Sequence, residues 1–113
     1  MTTVLLALLA LAGPPRATLD GSPLAVSAWC WAGKCGAPVA VARAPVRVTR
    51  GATVRVDFAF APTDVTARVG GAPVRLTVHG NEATWTATRG GGVTITARAA
   101  RGFVVYVGRL VVR

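Results

Sequence analysis

The chain has 113 residues, of which 52% are hydrophobic, and carries 13 basic against four acidic residues for a net charge of +9. That length holds one small domain, and that apolar fraction excludes a disordered basic tail. All but one of the basic residues are arginine, whose planar fork suits phosphate and carboxylate. The accompanying bias toward Ala, Gly, Val and Pro is also what a GC-rich genome produces, so charge alone does not define a site.

In chain order, Val4 to Ala12 is an unbroken apolar run closed by Gly13-Pro14-Pro15. It has the length of a signal-peptide core and falls short of the roughly 20 residues that span a bilayer. Ala10-Leu11-Ala12 supplies a small-x-small pattern, which places cleavage after Ala12, with a later cut after Ala17 as the alternative. No basic residue precedes the run, which leaves room for an upstream start. Pro14 stands where a lipid-attachment signal needs cysteine, so no lipid anchor is expected. The sequence is thus divided into a signal peptide and leader over 1–17, a short linker over 18–23, and a β domain over 24–113 that is secreted or associated with the cell envelope, with no transmembrane span after cleavage.

The stretch 28–36 contains both cysteines and two of the three tryptophans. Cys30 and Cys35 are spaced to close a small ring with Gly33 at its turn, and outside the cytosol thiols are not kept reduced, so a disulfide is expected. So short a ring contributes about 2 kcal/mol in the chain-entropy model and pins a local loop. A redox dithiol usually has two residues between its cysteines, and a zinc site would need more ligands than His79 and scattered carboxylates supply. Neither metal nor cofactor is expected. Of Trp29 and Trp31, one is expected over the core and the other over the bridge or in solvent; an exposed Trp31 would be a binding anchor.

The remainder reads as short strands. Leu24 to Trp29 runs into the cysteine ring, Val39 to Ala42 is an edge strand or extended arm, and Val46 to Thr49 begins a clearer pattern. In Thr53 to Phe60, Val54, Val56, Phe58 and Phe60 share one face. Val65, Ala67 and Val69 alternate up to a Gly70-Gly71 hairpin turn. The return strand places Val74, Leu76 and Val78 inward and Arg75, Thr77 and His79 outward. After a turn at His79 to Glu82, Ala83, Trp85 and Ala87 share a face; Gly90 to Gly92 lead into Val93 to Arg98. The last strand, Phe103 to Arg113, is apolar enough to be covered on both faces, with Tyr106, Leu110 and Val112 on the core side and Gly108 as a bulge. Seven or eight short strands and no helical period after the leader predict an all-β, two-sheet antiparallel sandwich, immunoglobulin-like in architecture.

Trp29-Cys30-Trp31-Ala32-Gly33-Lys34-Cys35, Trp85-Thr86-Ala87 and the stretch from Tyr106 through Val112 together resemble a group of short exported bacterial proteins, most familiar from GC-rich actinobacteria. These have a leader, an N-terminal Cys-Trp…Cys knot and an immunoglobulin-like β domain of uncharacterised role. The ring here is tighter than in many of them. The resemblance implies fold and location only.

Catalysis is not expected. Ser22 and Ser27 lack an adjacent base, His79 sits at a turn, Asp57 reads as a cross-strand ion pair with an arginine, and Asp64 as turn chemistry. Gly90 to Gly92 has no following helix and is no phosphate loop. The candidate contact residues are Trp31 and the outward arginines Arg47, Arg55, Arg68, Arg75, Arg98 and Arg109. The expected partner is an unknown protein or an anionic envelope component. Nucleic acid is open but not favoured, because few aromatics are placed for stacking. If the six arginines share one sheet face, a polyanion binder is favoured; if they divide between sheets, general surface contact is.

Overall fold

The computed structural model describes residues 13–41 and 44–113; the apolar run at 4–12, both cleavage positions' upstream residues to 12, and Ala42 and Arg43 lie outside them. The described residues form strands with no helix. In chain order these are β1 (Ala17–Leu19), β2 (Ser22–Pro23), β3 (Ala25–Trp31), β4 (Lys34–Cys35), β5 (Val46–Val48), β6 (Thr53–Phe58), β7 (Asp64–Val69), β8 (Ala72–Pro73), β9 (Thr77–His79), β10 (Glu82–Thr86), β11 (Gly91–Ala99) and β12 (Gly102–Val112).

Two sheets result. One has five strands in the order β2-β1-β6-β10-β9; the other has seven, in the order β4-β3-β12-β11-β7-β8 with β5 also on β12. Pairing is antiparallel except between β5 and β12, which run parallel. The alternation predicted for Thr53 to Phe58 is present: Val54, Val56 and Phe58 are buried while Thr53 and Arg55 are exposed. These side chains, with Ala83 and Trp85 from β10, meet Ala67, Val69, Val93, Ile95, Val104, Tyr106 and Leu110 from the other sheet in one core. Side chains of opposite parity face outward on each sheet.

Two-residue hairpin loops of type I′ need positive φ at both loop positions. Gly70 and Gly71 have φ of 59° and 82°, and Val69 pairs with Ala72 across them. The return strand differs from the expected one. Its ladder with β7 is short, Ala72–Pro73 followed by one bond from the Val74 N–H to the Ala67 carbonyl, before the chain crosses to the five-stranded sheet as β9. Val74 and Leu76 still pack on the core, but Val78 is 39% exposed. Alternation fixes which side a residue takes, not which sheet, so it continues smoothly across the crossing.

Three further expectations are corrected. Residues 18–23 are not a linker: Thr18 and Leu19 belong to β1, which pairs with both β2 and β6, and Leu19 is 1% exposed. Gly108 is not a bulge. The irregularity lies between Val105 and Tyr106, where Ser27 is the extra residue on β3, and a side chain at Gly108 would run into Leu24. Nor is β12 covered on both faces: Val104, Tyr106 and Leu110 are buried, whereas Phe103, Val105, Val107 and Val111 on the other side are only half-buried. The stretch from Val39 contributes one bridge, to Val26.

Tyr106 is fully buried, and its hydroxyl donates a 2.7 Å hydrogen bond to the Pro15 carbonyl. This ties the segment before β1 onto the core. Burial raises the hydroxyl above the ordinary tyrosine range. Being the only tyrosine, Tyr106 can be followed alone by phenolate absorbance. The unfolded chain ionises near the ordinary value of about 10 and the folded chain above it, so the folded state retains a proton that the unfolded state gives up, and stability falls as pH rises past about 10. An alkaline titration is therefore expected to show phenolate appearing together with loss of near-ultraviolet dichroism; phenolate formation in a still-folded protein would contradict the bond. Likewise, a chain beginning at Arg16, which keeps the Arg16 and Ala17 backbone bonds, loses the Pro15 acceptor and leaves a buried hydroxyl unpaired, at a cost of about 1–3 kcal/mol in urea unfolding relative to a chain beginning at Gly13.

Candidate interaction surface

The cysteine ring is the tip of the β3–β4 hairpin. Cys30 and Cys35 are directly paired across it and joined by a disulfide, and the loop residues Ala32 and Gly33 both have positive φ, 53° and 82°. Alternation along β3 sends Cys30 to the outside of the seven-stranded sheet and the two tryptophans toward the inside. Trp29 is in the core, and its indole Nε1–H donates to the Ala37 carbonyl at 2.9 Å. Gly36 passes directly beneath this ring, where any β-carbon would overlap it. Trp31 is half-buried against Phe60, their centroids 4.8 Å apart; Phe60 in turn meets Phe58, and Phe58 meets Tyr106. Much of the Trp31 ring is thus spent on this aromatic series that joins the hairpin to the core.

The six singled-out arginines are all exposed, and register separates them. Arg47, Arg68, Arg98 and Arg109 lie on strands of the seven-stranded sheet, Arg55 lies on the five-stranded sheet, and Arg75 is in the link between β8 and β9. On the outer face of the seven-stranded sheet, Phe103 lies opposite Cys30 on one side and Arg98 on the other. Val105 is flanked by Ala28 and Thr96, and Val107 by Ala25 and Thr94. Arg68 stands beside Thr94, and Arg47 beside Val111. The outcome is an apolar row along β12 that Arg109 interrupts between Val107 and Val111, with Arg98 directly beside Phe103 and Arg47 beside Val111; Arg68 lies one strand further out, its guanidinium donating to the Gly71 carbonyl at 3.0 Å. The carboxylate on this face is Asp64, opposite Arg98 in register.

The five-stranded sheet has the opposite character. Three of the chain's four carboxylates, Asp20, Asp57 and Glu82, lie on it or its turns. Asp20 Oδ1 accepts from the Arg55 backbone N–H at 2.8 Å, and Asp57 Oδ2 accepts from Arg55 Nε at 3.1 Å. The expected cross-strand pair is therefore a pair along one strand, because residues two apart on a strand share a face. Both side chains are substantially exposed, 56% and 38%, so its contribution is within about 0–1 kcal/mol. Charge is thus divided between the two outer faces, a property that no single strand displays and that only register reveals.

Register places His79 opposite Glu82, and Glu82 opposite Asp57, on the five-stranded sheet, with the Ser27 hydroxyl on the other sheet. Ser27 Oγ donates to the Val105 carbonyl at 3.4 Å on the seven-stranded sheet, while His79 is exposed on the edge strand β9 of the other. Among the described residues no three His, Cys, Asp or Glu side chains converge as a metal would require, and no helix is long and apolar enough to cross a membrane. Comparison with known proteins finds no matching family model, no matching curated protein and no matching solved structure.

Because the disulfide closes a hairpin tip, its loss acts locally. Replacing both cysteines by alanine is expected to lower stability by about 2 kcal/mol. Amide exchange should rise over 29–36 well before it does in β11; uniform loss of protection across both sheets would show that the ring supports the whole fold.

Proposed function

We propose that the protein is an exported, non-catalytic module of immunoglobulin-like architecture that acts by surface contact in or near the cell envelope, and that its contact face is the outer side of the seven-stranded sheet. The observation that carries this reading is the partly exposed apolar row Phe103, Val105, Val107 and Val111, interrupted by Arg109, flanked directly by Arg98 and Arg47, and sharing its face with Arg68. Half-exposed valines supply area that gains from burial, and the surrounding arginines favour an acidic protein surface over a second copy of the same face. Export is supported by the apolar run at 4–12 and by the disulfide. The immunoglobulin-like reading is supported by two facing sheets with one core, although an antibody-type bridge would join the sheets and this one does not.

A second reading, a polyanion binder using the same face, is favoured by the grouping of four of the six arginines there. The division of Arg55 and Arg75 from that group weighs toward the first reading. The two are separated by titrating the oxidised domain with duplex DNA and with an anionic wall polymer at rising salt. Four phosphate contacts would give duplex DNA a log–log salt slope of roughly −4. The contact reading expects weak polymer binding that disappears by physiological salt. It also expects a photo-cross-linking residue at Val105 to give a discrete adduct in the producing cell, and one at Thr84 on the opposite sheet to give none. Polymer binding that survives physiological salt and is lost in Arg98→Glu/Arg109→Glu would give the lead to the polyanion reading.

A further inference from the structure

The crossing between sheets leaves a gap in the five-stranded sheet. β9 is paired with β10 only opposite Glu82 to Thr84, while on its other side β10 stays paired with β6 as far as Thr86. The Asn81 carbonyl accepts from Phe58 N–H, and Ala87 N–H donates to the Ala52 carbonyl, so the odd-numbered residues of this strand bond toward β6. The backbone N–H and C=O of Thr86 consequently point the other way, into the lane that β9 has left. Among the described residues no backbone or side-chain group bonds to them.

The link between β8 and β9 leaves this edge uncovered. Val74 N–H donates to the Ala67 carbonyl of the opposite sheet at 3.1 Å, and Val74 and Leu76 turn into the core. A cleft of about 500 Å³ remains, with Arg75 and Thr77 on one wall and Thr86, Thr88 and Arg89 on the other, within the range of about 300–1,000 Å³ typical of ligand clefts. No carboxylate lines it, and neither guanidinium has an ion-pair partner among the described residues.

We infer that this cleft takes an extended acidic peptide, which adds to the five-stranded sheet as a short strand beside Thr86 and places its carboxylates on Arg75 and Arg89. Strand addition supplies main-chain hydrogen bonds at an open edge, and the alternate side chains supply selectivity. The two arginines select for an acidic segment and repel basic ones. The Thr88 carbonyl already accepts from Arg50 Nη1 at 2.9 Å, so at a strand rise of about 3.3 Å per residue the vacated lane beside residues 85–87 accommodates roughly three residues. This site is separate from the proposed contact face on the other sheet, and each stands or falls without the other.

The test is fluorescence titration with a labelled acetyl-(Glu-Val)₃-amide peptide and with its backbone N-methylated counterpart, which keeps the charge but cannot pair with an edge. Saturable binding below about 1 mM is expected, with slowed exchange of the Thr86 amide. The N-methylated peptide should bind at least about tenfold more weakly, as should the unmodified peptide to Arg75→Glu/Arg89→Glu, whose unfolding midpoint reports that the fold is retained. The variant Arg98→Glu/Arg109→Glu, altered only on the opposite sheet, should bind unchanged. The inference is overturned by absence of saturable binding, by equal affinity for the N-methylated peptide, or by loss in the Arg98/Arg109 variant without loss in the Arg75/Arg89 variant.

Discussion

A phenol buried between two sheets must find an acceptor there, and much of the molecule is arranged around that need. Tyr106 comes from the middle of the seven-stranded sheet, but the Pro15 carbonyl that satisfies it lies just before the first strand of the other. Once the chain is fixed at Pro15, Ala17 and Leu19 enter the core and β1 lies along β6, with Asp20 accepting from the Arg55 amide at its far end. Leaving a buried hydroxyl unpaired costs more than a made bond returns, so this contact, added to the shared core, helps to set the relative position of two layers that share no continuous strand. The series Tyr106, Phe58, Phe60, Trp31 extends the same constraint outward to the disulfide hairpin.

Much of the fold was legible because polar and apolar residues alternate strictly in β6, β7 and β11, and because Gly70-Gly71 can only be a tight turn. The disulfide was legible from spacing. What escaped did so for physical reasons. Ala17-Thr18-Leu19 is too short to show a period and follows a proline-rich stretch, so it reads as the tail of a leader although it is a core strand. Alternation runs unbroken from Val74 to Val78 across a change of sheet, since facing the core is the same pattern whichever layer supplies it. In β12 apolar residues at both parities suggest two covered faces; the structure covers one.

The candidate site was visible as residue types and invisible as an arrangement. Each of Arg47, Arg68, Arg98 and Arg109 could be read as outward from its own strand. That they share one outer face with an apolar row, while Arg55 is turned among carboxylates on the far side, depends on strand order and register between segments tens of residues apart. Arg89 was not singled out at all, because it belongs to no strand; it gains meaning only from the cleft that the departing β9 opens.

The position of β12 bears on how the molecule comes to exist. It is inserted between β3 and β11, with β5 alongside, and the Ser27 to Val105 hydrogen bond spans 78 positions of sequence. Hairpins such as β11–β12 form from neighbours, but β3 must await a partner from the far end of the chain, and closing so long a loop costs entropy before any contact repays it. Topologies of this kind reach their native state slowly. Until the C-terminal strand arrives, β3 and β5 lack the neighbour that seats them in the seven-stranded sheet, and their open edges are a hazard if that state persists in a crowded solution.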